Sequence, residues 1–374
     1  MHFIKDINID NKRVVLRCDF NVPIENGIIK DNIKIKKSLK TINYLLDRNC
    51  KVIVLSHFGR VKTKDDKKKN TLEPVAKELS NLLGKKVKFV NSCFGDEVKK
   101  IVDNASLGEV ILLENTRFMD VEGKLESSND LKLAEYFASL GDIFVNDAFG
   151  SMHRAHASTA GIAKFLPSAV GFLVADELNH LDILVNNTPH PFVVFMGGAK
   201  VDDKLPIIKS LIKRCDYLLL GGGIANSFLK AIGADIGQSL STDDNEILEE
   251  IRNIMNEYKD KIVLPVDFSI DADVIYDIGI KSISKYKEYI DEAKIIFVNG
   301  TCGKYEDDRF KEGTENLFKV LYNSGKKVIV GGGDAAAAAK RFGYEDKFDY
   351  ISSGGGATLE YIADKSLAAL EWMK

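Results

Sequence analysis

In the first half of the chain, short apolar runs are followed by basic or hydrogen-bonding side chains. Arg17, Asp19 and Asn21 follow Arg13-Val14-Val15-Leu16, and His57 and Arg60 follow Lys51-Val52-Ile53-Val54-Leu55. Arg117 follows Val110-Ile111-Leu112-Leu113, and Asn146, Asp147 and Arg154 follow Asp142-Ile143-Phe144-Val145. An arginine fork matches two oxygens of a carboxylate or phosphate at once. One arginine near a strand end is commonly a surface ion pair. Four runs ending alike point instead to a pocket for a small, strongly anionic substrate, provided that the runs share a direction.

The second half ends its apolar runs in glycine: Gly197-Gly198, Gly221-Gly222-Gly223, Gly331-Gly332-Gly333 and Gly354-Gly355-Gly356. Glycine lets the backbone approach a ligand closely, and a following helix N-terminus presents free N–H groups to phosphate. Four such turns suit the phosphates of a nucleotide. Lys200 and Lys204 stand four residues apart beside the first turn, a spacing that shares one helical face. Cations are disfavoured at a helix start, so their presence there points to neutralising charge on a transferring phosphoryl group. Asp334 follows a glycine triplet, where a helix N-cap and a Mg²⁺-nucleotide role fit the spacing equally. The chain has no GxxxxGK[ST] loop and no HRD or DFG set, which disfavours those phosphotransferase classes.

The elements that must carry these residues repeat one unit, a β-branched apolar run, a polar or glycine turn, and a helical pattern. Continuous apolar runs signify strands buried on both faces, as in a parallel sheet covered by helices. Further runs are Val87–Val90, 192–195, 217–220, 262–264, 295–298 and 327–330, with helical spacing over 72–83 and 245–258. The fold expected is α/β, two lobes that are each a Rossmann-like parallel sheet flanked by helices and joined by a hinge helix. An amphipathic stretch from Phe172 to Val185, closed by Pro189-His190-Pro191, supplies the connector. The divisions expected are 1–170 with 358–374, a connecting helix at 171–187, and a second lobe at 188–357. Lys62 to Lys69 reads as a solvated loop.

The chain has 374 residues, 45% hydrophobic and 29% charged, with a net charge of −3. That is an ordinary globular composition of about two domains, with no basic field suited to nucleic acid. The charged start Met1-His2-Phe3-Ile4-Lys5-Asp6 is not that of a signal peptide, and no run approaches the roughly 20 residues of a membrane span. Five scattered cysteines lack CxxC spacing, which suits a reducing cytoplasm better than zinc or disulfides. Nothing announces an exposed apolar interface, so a cytoplasmic monomer is expected.

Together these residues resemble the phosphoglycerate kinase family. Arg17 to Pro23 is similar to R-x-D-F-N-V-P, Ser56 to Arg60 to S-H-x-G-R, and Leu113 to Phe118 to L-E-N-x-R-F. Val145 to His156 resembles V-N-D-A-F-G-x-x-H-R-A-H, Gly197 to Lys204 resembles G-G-A-K-V-x-D-K, and Gly331 to Asp334 resembles G-G-G-D. The resemblance runs from residue 1 to about 365. It implies a first lobe holding 3-phosphoglycerate or 1,3-bisphosphoglycerate and a second holding Mg²⁺ with ADP or ATP. Asp19, Phe20 and Asn21 would bind substrate, and His57, Arg60, Arg117 and Arg154 its phosphate and carboxylate. Lys200 and Lys34 would act on the migrating phosphoryl. Lys204, Asn299, Gly332, Gly333, Asp334 and Ala335 would hold the nucleotide, with Glu306 on its ribose. Gly354, Gly355 and Gly356 would form a phosphate loop, and Asp334 would orient Mg²⁺. A hinge closure would then bring the two substrates in line and exclude water.

Five positions depart from the family pattern. Lys34 stands where an arginine is usual, keeping charge but losing the fork. Ala335 replaces a hydroxyl residue, Val298-Asn299-Gly300-Thr301 stands where W-N-G-P is usual, and Ile275 replaces a small residue. These changes imply a differently tuned kinase. A non-catalytic paralogue that binds phosphoglycerate or nucleotide is the alternative, drawing on Lys34 and Ala335. A dinucleotide oxidoreductase rests only on the loose GxGxxA match of Gly331 to Ala336.

Overall fold

The computed structural model describes residues 1–121 and 123–373. It divides into two compact units, Met1–Leu178 with the segment from Ser366, and Asn179–Lys365.

In the first unit six strands lie in the spatial order Val87–Val90, Val110–Leu113, Lys51–Leu55, Arg13–Cys18, Ile143–Asp147, Ser168–Val170. All the pairings are parallel, with Val14 opposite Val52 and Cys18 opposite Asp147. The runs that looked continuously apolar are strands covered on both faces. Val14, Leu16, Val52 and Val54 pack to one side against the helices Ile33–Asp47 and Glu73–Leu83. Val15, Ile53, Ile111 and Phe144 pack to the other, against Asp96–Asp103 and Leu131–Ser139. Burying each such side chain contributes roughly 1.5–3 kcal/mol. The chain leaves Arg13–Cys18 in one direction along the sheet and returns on its other side with Ile143–Asp147. That reversal opens a crevice beyond the strands' carboxyl ends.

The second unit repeats the plan, in the order Ile262–Val263, Tyr217–Leu220, Phe192–Met196, Ile295–Asn299, Lys327–Gly331, Tyr350–Ile351, again all parallel. Its reversal falls between Phe192–Met196 and Ile295–Asn299, where Met196 lies opposite Asn299. The parallel sheets fulfil the condition set by the sequence, since within each unit all strand ends face one edge.

Several local expectations are corrected. Lys62 to Lys69 is not a loop throughout: Lys64–Lys69 is helical, because Thr63 and Asp66 form a reciprocal capping box. The connector helix is Phe172–Asp182, and the division between units falls within it. The helix Gly356–Asp364 stays with the second unit, because Ser210 donates to the Ala363 carbonyl at 2.7 Å and Arg214 to that of Ile362. Lys200 and Lys204 do not share a helical face; they lie in a turn, and the helix begins only at Leu205. An antiparallel hairpin, Phe268–Asp271 with Val274–Ile278, went unread because its residues mix burial with exposure. Among the described residues no helix is long and apolar enough to cross a membrane.

Candidate active site

The crevice of the first unit holds a cavity of about 300 Å³, lined by Asp19, Asn21, Lys34, His57, Arg60, Arg117 and Arg154 among others. Seven of the eight substrate residues expected from sequence therefore meet in one place. Phe20 does not: its ring is fully buried in the core and its N–H is donated to Ser56 Oγ at 2.9 Å. Asn21 Oδ1 accepts from the Gly59 N–H at 3.0 Å, and Arg117 donates to the Gly59 carbonyl. These bonds tie the loops after three strands into one wall.

Lys34 sits in the first turn of Ile33–Asp47, where the helix dipole opposes a cation. Asp19 offsets this, with its Oδ2 2.9 Å from Lys34 Nζ. Burial works against the Asp19 carboxylate, but the charge and hydrogen bond of Lys34 outweigh it and hold Asp19 below its ordinary value. The pocket thus presents arginines and a paired lysine to an anion.

Arg17 was read as a pocket residue, yet it is fully buried beneath the pocket. It donates from Nε to Ser158 Oγ at 2.9 Å, from one terminal nitrogen to the Cys18 carbonyl, and from the other to His57 Nδ1 at 3.0 Å. A guanidinium can only donate, so His57 Nδ1 accepts and the ring proton belongs on Nε2. Burial, and next the Arg17 charge, push His57 well below the usual imidazole value. His57 is therefore a neutral N–H donor for an anionic ligand. Once the ligand's own phosphate titration is accounted for, the affinity for an anionic substrate should show no further inflection at the ordinary histidine pKa near 6.5. His57→Gln, which keeps an N–H donor, should bind better than His57→Ala; calorimetric titration across pH 5.5–8 checks both.

Sequence reasoning passed over Ser151, His153 and His156, which also line the cavity. His153 Nε2 accepts from Arg154 Nε at 3.0 Å and so steadies an otherwise exposed arginine. Burial, with Arg17, Arg117 and Arg154, pushes His156 down to about 3. Both histidines stand inside the segment Val145 to His156, so alternation of His and Arg along it was the available signal. Asn146 proves structural, its amide donating to the Thr159 carbonyl at 2.9 Å.

The second unit places its glycine turns at its own crevice. The Gly197 N–H reaches the Asn299 carbonyl at 2.8 Å and the Gly198 N–H that of Thr301 at 3.0 Å. Gly222, Gly333 and Gly356 open the helices Gly222–Ala231, Gly333–Arg341 and Gly356–Asp364. A cavity of about 290 Å³ is lined by Gly198, Gly222, Gly223, Thr301, Glu306 and Asp334, with Leu240, Val274, Ile275 and Tyr276 as an apolar wall. That wall comes largely from the unread hairpin. Gly332, Gly333 and Gly354–Gly356 do not line this cavity, nor do Lys200 and Lys204.

Lys204 Nζ donates to the Gly197 carbonyl at 2.7 Å, and burial lowers it below its ordinary value, partly offset by Asp334. Asn299 is buried, its amide donating to the Gly331 carbonyl at 2.6 Å, so its side chain ties two turns together rather than lining the cavity. Ala335 is fully enclosed in the core, so its side chain has no ligand role and only its backbone N–H faces the helix start. A hydroxyl there would need room in a packed core.

Asp334 is not the N-cap. That position is Gly332, and Asp334 is exposed in the first turn of Gly333–Arg341. Among the described residues no group of three His, Cys, Asp or Glu could cage a metal. A lone exposed carboxylate beside helix N-termini suits Mg²⁺, which keeps waters and takes other ligands from nucleotide phosphates.

Two α/β units, one edged with cations and one with glycine turns, are the make-up of a small-molecule phosphotransferase. The phosphoglycerate kinase family model matches residues 4–365. A phosphoglycerate kinase of Lactobacillus acidophilus is 45% identical, covering 98% of this chain and 97% of the relative. One of Fusobacterium nucleatum is 44% identical, covering 98% of each. The solved structure of phosphoglycerate kinase from Coxiella burnetii superposes with a TM-score of 0.87 at 35% identity, over 99% of this chain and 98% of that one. This chain belongs to the phosphoglycerate kinase family.

Proposed function

We propose that this chain catalyses reversible phosphoryl transfer between 1,3-bisphosphoglycerate and ADP, giving 3-phosphoglycerate and ATP in glycolysis. The observation that carries the reading is the first unit's cavity, where Lys34, Arg60, Arg117 and Arg154 surround the neutral donor His57. Its volume suits a three-carbon acid with one phosphate, and its charge suits that ligand's carboxylate and phosphate.

In this reading the unit Met1–Leu178 holds phosphoglycerate and Asn179–Lys365 holds the nucleotide. The base lies against Val274, Ile275 and Tyr276, and Glu306 takes the ribose. The phosphates meet the helix starts at Gly333 and Gly356. Asp334 would hold Mg²⁺, which supplies neutralisation of charge on the phosphate oxygens. Lys34 and Lys200 carry the remaining positive charge to the transferring group. Hinge motion through Phe172–Asp182 brings the acceptor and the terminal phosphate in line and excludes water. The enzyme is read as a cytoplasmic monomer, in keeping with five free cysteines that are all buried.

The test is ADP formation from Mg-ATP and 3-phosphoglycerate, with product drained by a coupling enzyme. Sustained turnover is expected. Its absence from protein that still binds 3-phosphoglycerate would overturn the kinase reading in favour of a binding protein.

A further inference from the structure

The mechanism above uses His57 but leaves unexplained what fixes its ring, and the groups that do so lie under the pocket. Glu126 is fully buried and receives three donors: Ser158 N–H at 3.1 Å, Thr116 Oγ1 at 3.1 Å, and Ser158 Oγ. The Ser158 N–H can only donate to it; burial pushes the carboxyl up, the Arg17 charge opposes that push, and the carboxyl serves both hydroxyls as their acceptor. Ser158 Oγ, having given its proton to Glu126, has lone pairs left and takes the Arg17 Nε–H at 2.9 Å. Arg17 has no freedom after that. One hydrogen on each terminal nitrogen goes to the Cys18 carbonyl and to His57 Nδ1 respectively. The guanidinium is planar, so fixing Nε through Ser158 also fixes the nitrogen that meets His57.

We propose that Glu126 is a positioning residue for phosphoglycerate binding, acting through Ser158 and Arg17 to hold His57 with its Nε2–H directed to the ligand. The inference rests on the phosphoglycerate reading of the cavity. Glu126 belongs neither to the pocket wall nor to any of the motifs, and it touches no ligand. Its carboxylate sets the direction of a serine hydroxyl, that hydroxyl sets the plane of a buried arginine, and the arginine allows one imidazole tautomer only. With the chain intact, the ligand meets a donor already aimed. With the chain broken, Arg17 can rotate and His57 can take its proton on either nitrogen, one of which offers the anion a lone pair instead of a hydrogen.

The test uses Glu126→Gln and Ser158→Ala in the full-length protein. The readouts are the ¹⁵N spectrum of the His57 imidazole, 3-phosphoglycerate and Mg-ADP affinities by calorimetry, and steady-state kinetics. In the wild type His57 should appear as the single Nε2–H tautomer. In both variants a mixture of tautomers is expected. The dissociation constant and KM for 3-phosphoglycerate should rise at least about tenfold, the equivalent of one well-placed hydrogen bond to an anion. The Mg-ADP affinity and kcat should stay close to wild type. If Glu126→Gln does not fold, Ser158→Ala decides, since it cuts the chain while leaving the carboxylate in place. Folded variants with the wild-type tautomer and affinity would overturn the proposal and leave Glu126 as a buried counter-charge alone. An inactive wild type that still shows the single tautomer would instead count against the kinase reading and leave the positioning chain standing.

Discussion

Lys200→Ala is expected to lower kcat by about a hundred- to a thousandfold, the usual cost of removing one preorganised group from a developing charge. The turn that carries Lys200 is held independently of it. Gly198 N–H bonds to the Thr301 carbonyl at 3.0 Å, and Lys204 Nζ closes the turn onto the Gly197 carbonyl at 2.7 Å. Lys200 itself is exposed and makes no hydrogen bond or ion pair among the described residues. Its removal therefore leaves the turn in place, and KM for either substrate should change little. Lys204→Met should behave in the opposite way. It leaves a carbonyl of the turn without its donor, so the KM for nucleotide and the melting temperature should shift before kcat does. Steady-state kinetics with both substrates, beside thermal melts, separates the two lysines. A Lys200→Ala enzyme that loses affinity but keeps kcat would mean that Lys200 binds nucleotide and does not act on the transferring group.

The difference between these lysines also shows where sequence reading reaches its end. Spacing alone put both on one helical face, because four residues span a helical turn. Structure puts them in a turn with unlike surroundings, and only coordinates distinguish the half-buried Lys204 from the exposed Lys200. The sheets were legible because strands buried on both faces are apolar at nearly every position, as in Val110–Leu113. The anion pocket was legible because parallel strands deliver their carboxyl ends to one edge, so reading the residue after each run finds the wall. That rule fails where a residue near the edge turns inward. Arg17 and Phe20 flank Asp19 in sequence, yet both are enclosed. It fails as well for residues far from any strand end. Glu126 lies in an irregular segment with no periodicity, and its role depends on Ser158, 32 residues further on. The apolar wall of the nucleotide cavity came from a hairpin whose turn, Ala272-Asp273, takes positive φ at both residues without the glycine or asparagine that signals such a turn. The short helix after Thr63 was the avoidable miss, since Thr63 and Asp66 already have capping-box spacing in the sequence.

The glycine turns give the second large effect, and they allow a test that separates folding from binding. Gly300→Ala should destabilise the protein by about 3 kcal/mol, from a left-handed backbone and an overpacked contact together. Gly300 has a φ of +80°, and a Cβ there would stand 2.2 Å from the Gly197 carbonyl oxygen and 2.4 Å from its carbon. Both are backbone atoms at the reversal of the sheet, so no side chain can swing aside. Gly333→Ala should do the reverse. Gly333 has ordinary helical backbone, and a Cβ on it meets nothing within 4 Å. Alanine is favoured over glycine inside helices by about 1 kcal/mol, so the variant should be as stable as the wild type or slightly more so. If Gly333 is there to let phosphate approach the start of Gly333–Arg341, the added methyl will stand in the ligand's way, and Mg-ADP affinity should fall while the melting temperature holds. Chemical denaturation and calorimetric titration of the two variants decide it. A Gly333→Ala protein that binds Mg-ADP as the wild type does would remove this helix start from the phosphate site, leaving the turns at Gly198 and Gly222, which do line the cavity, to hold the nucleotide.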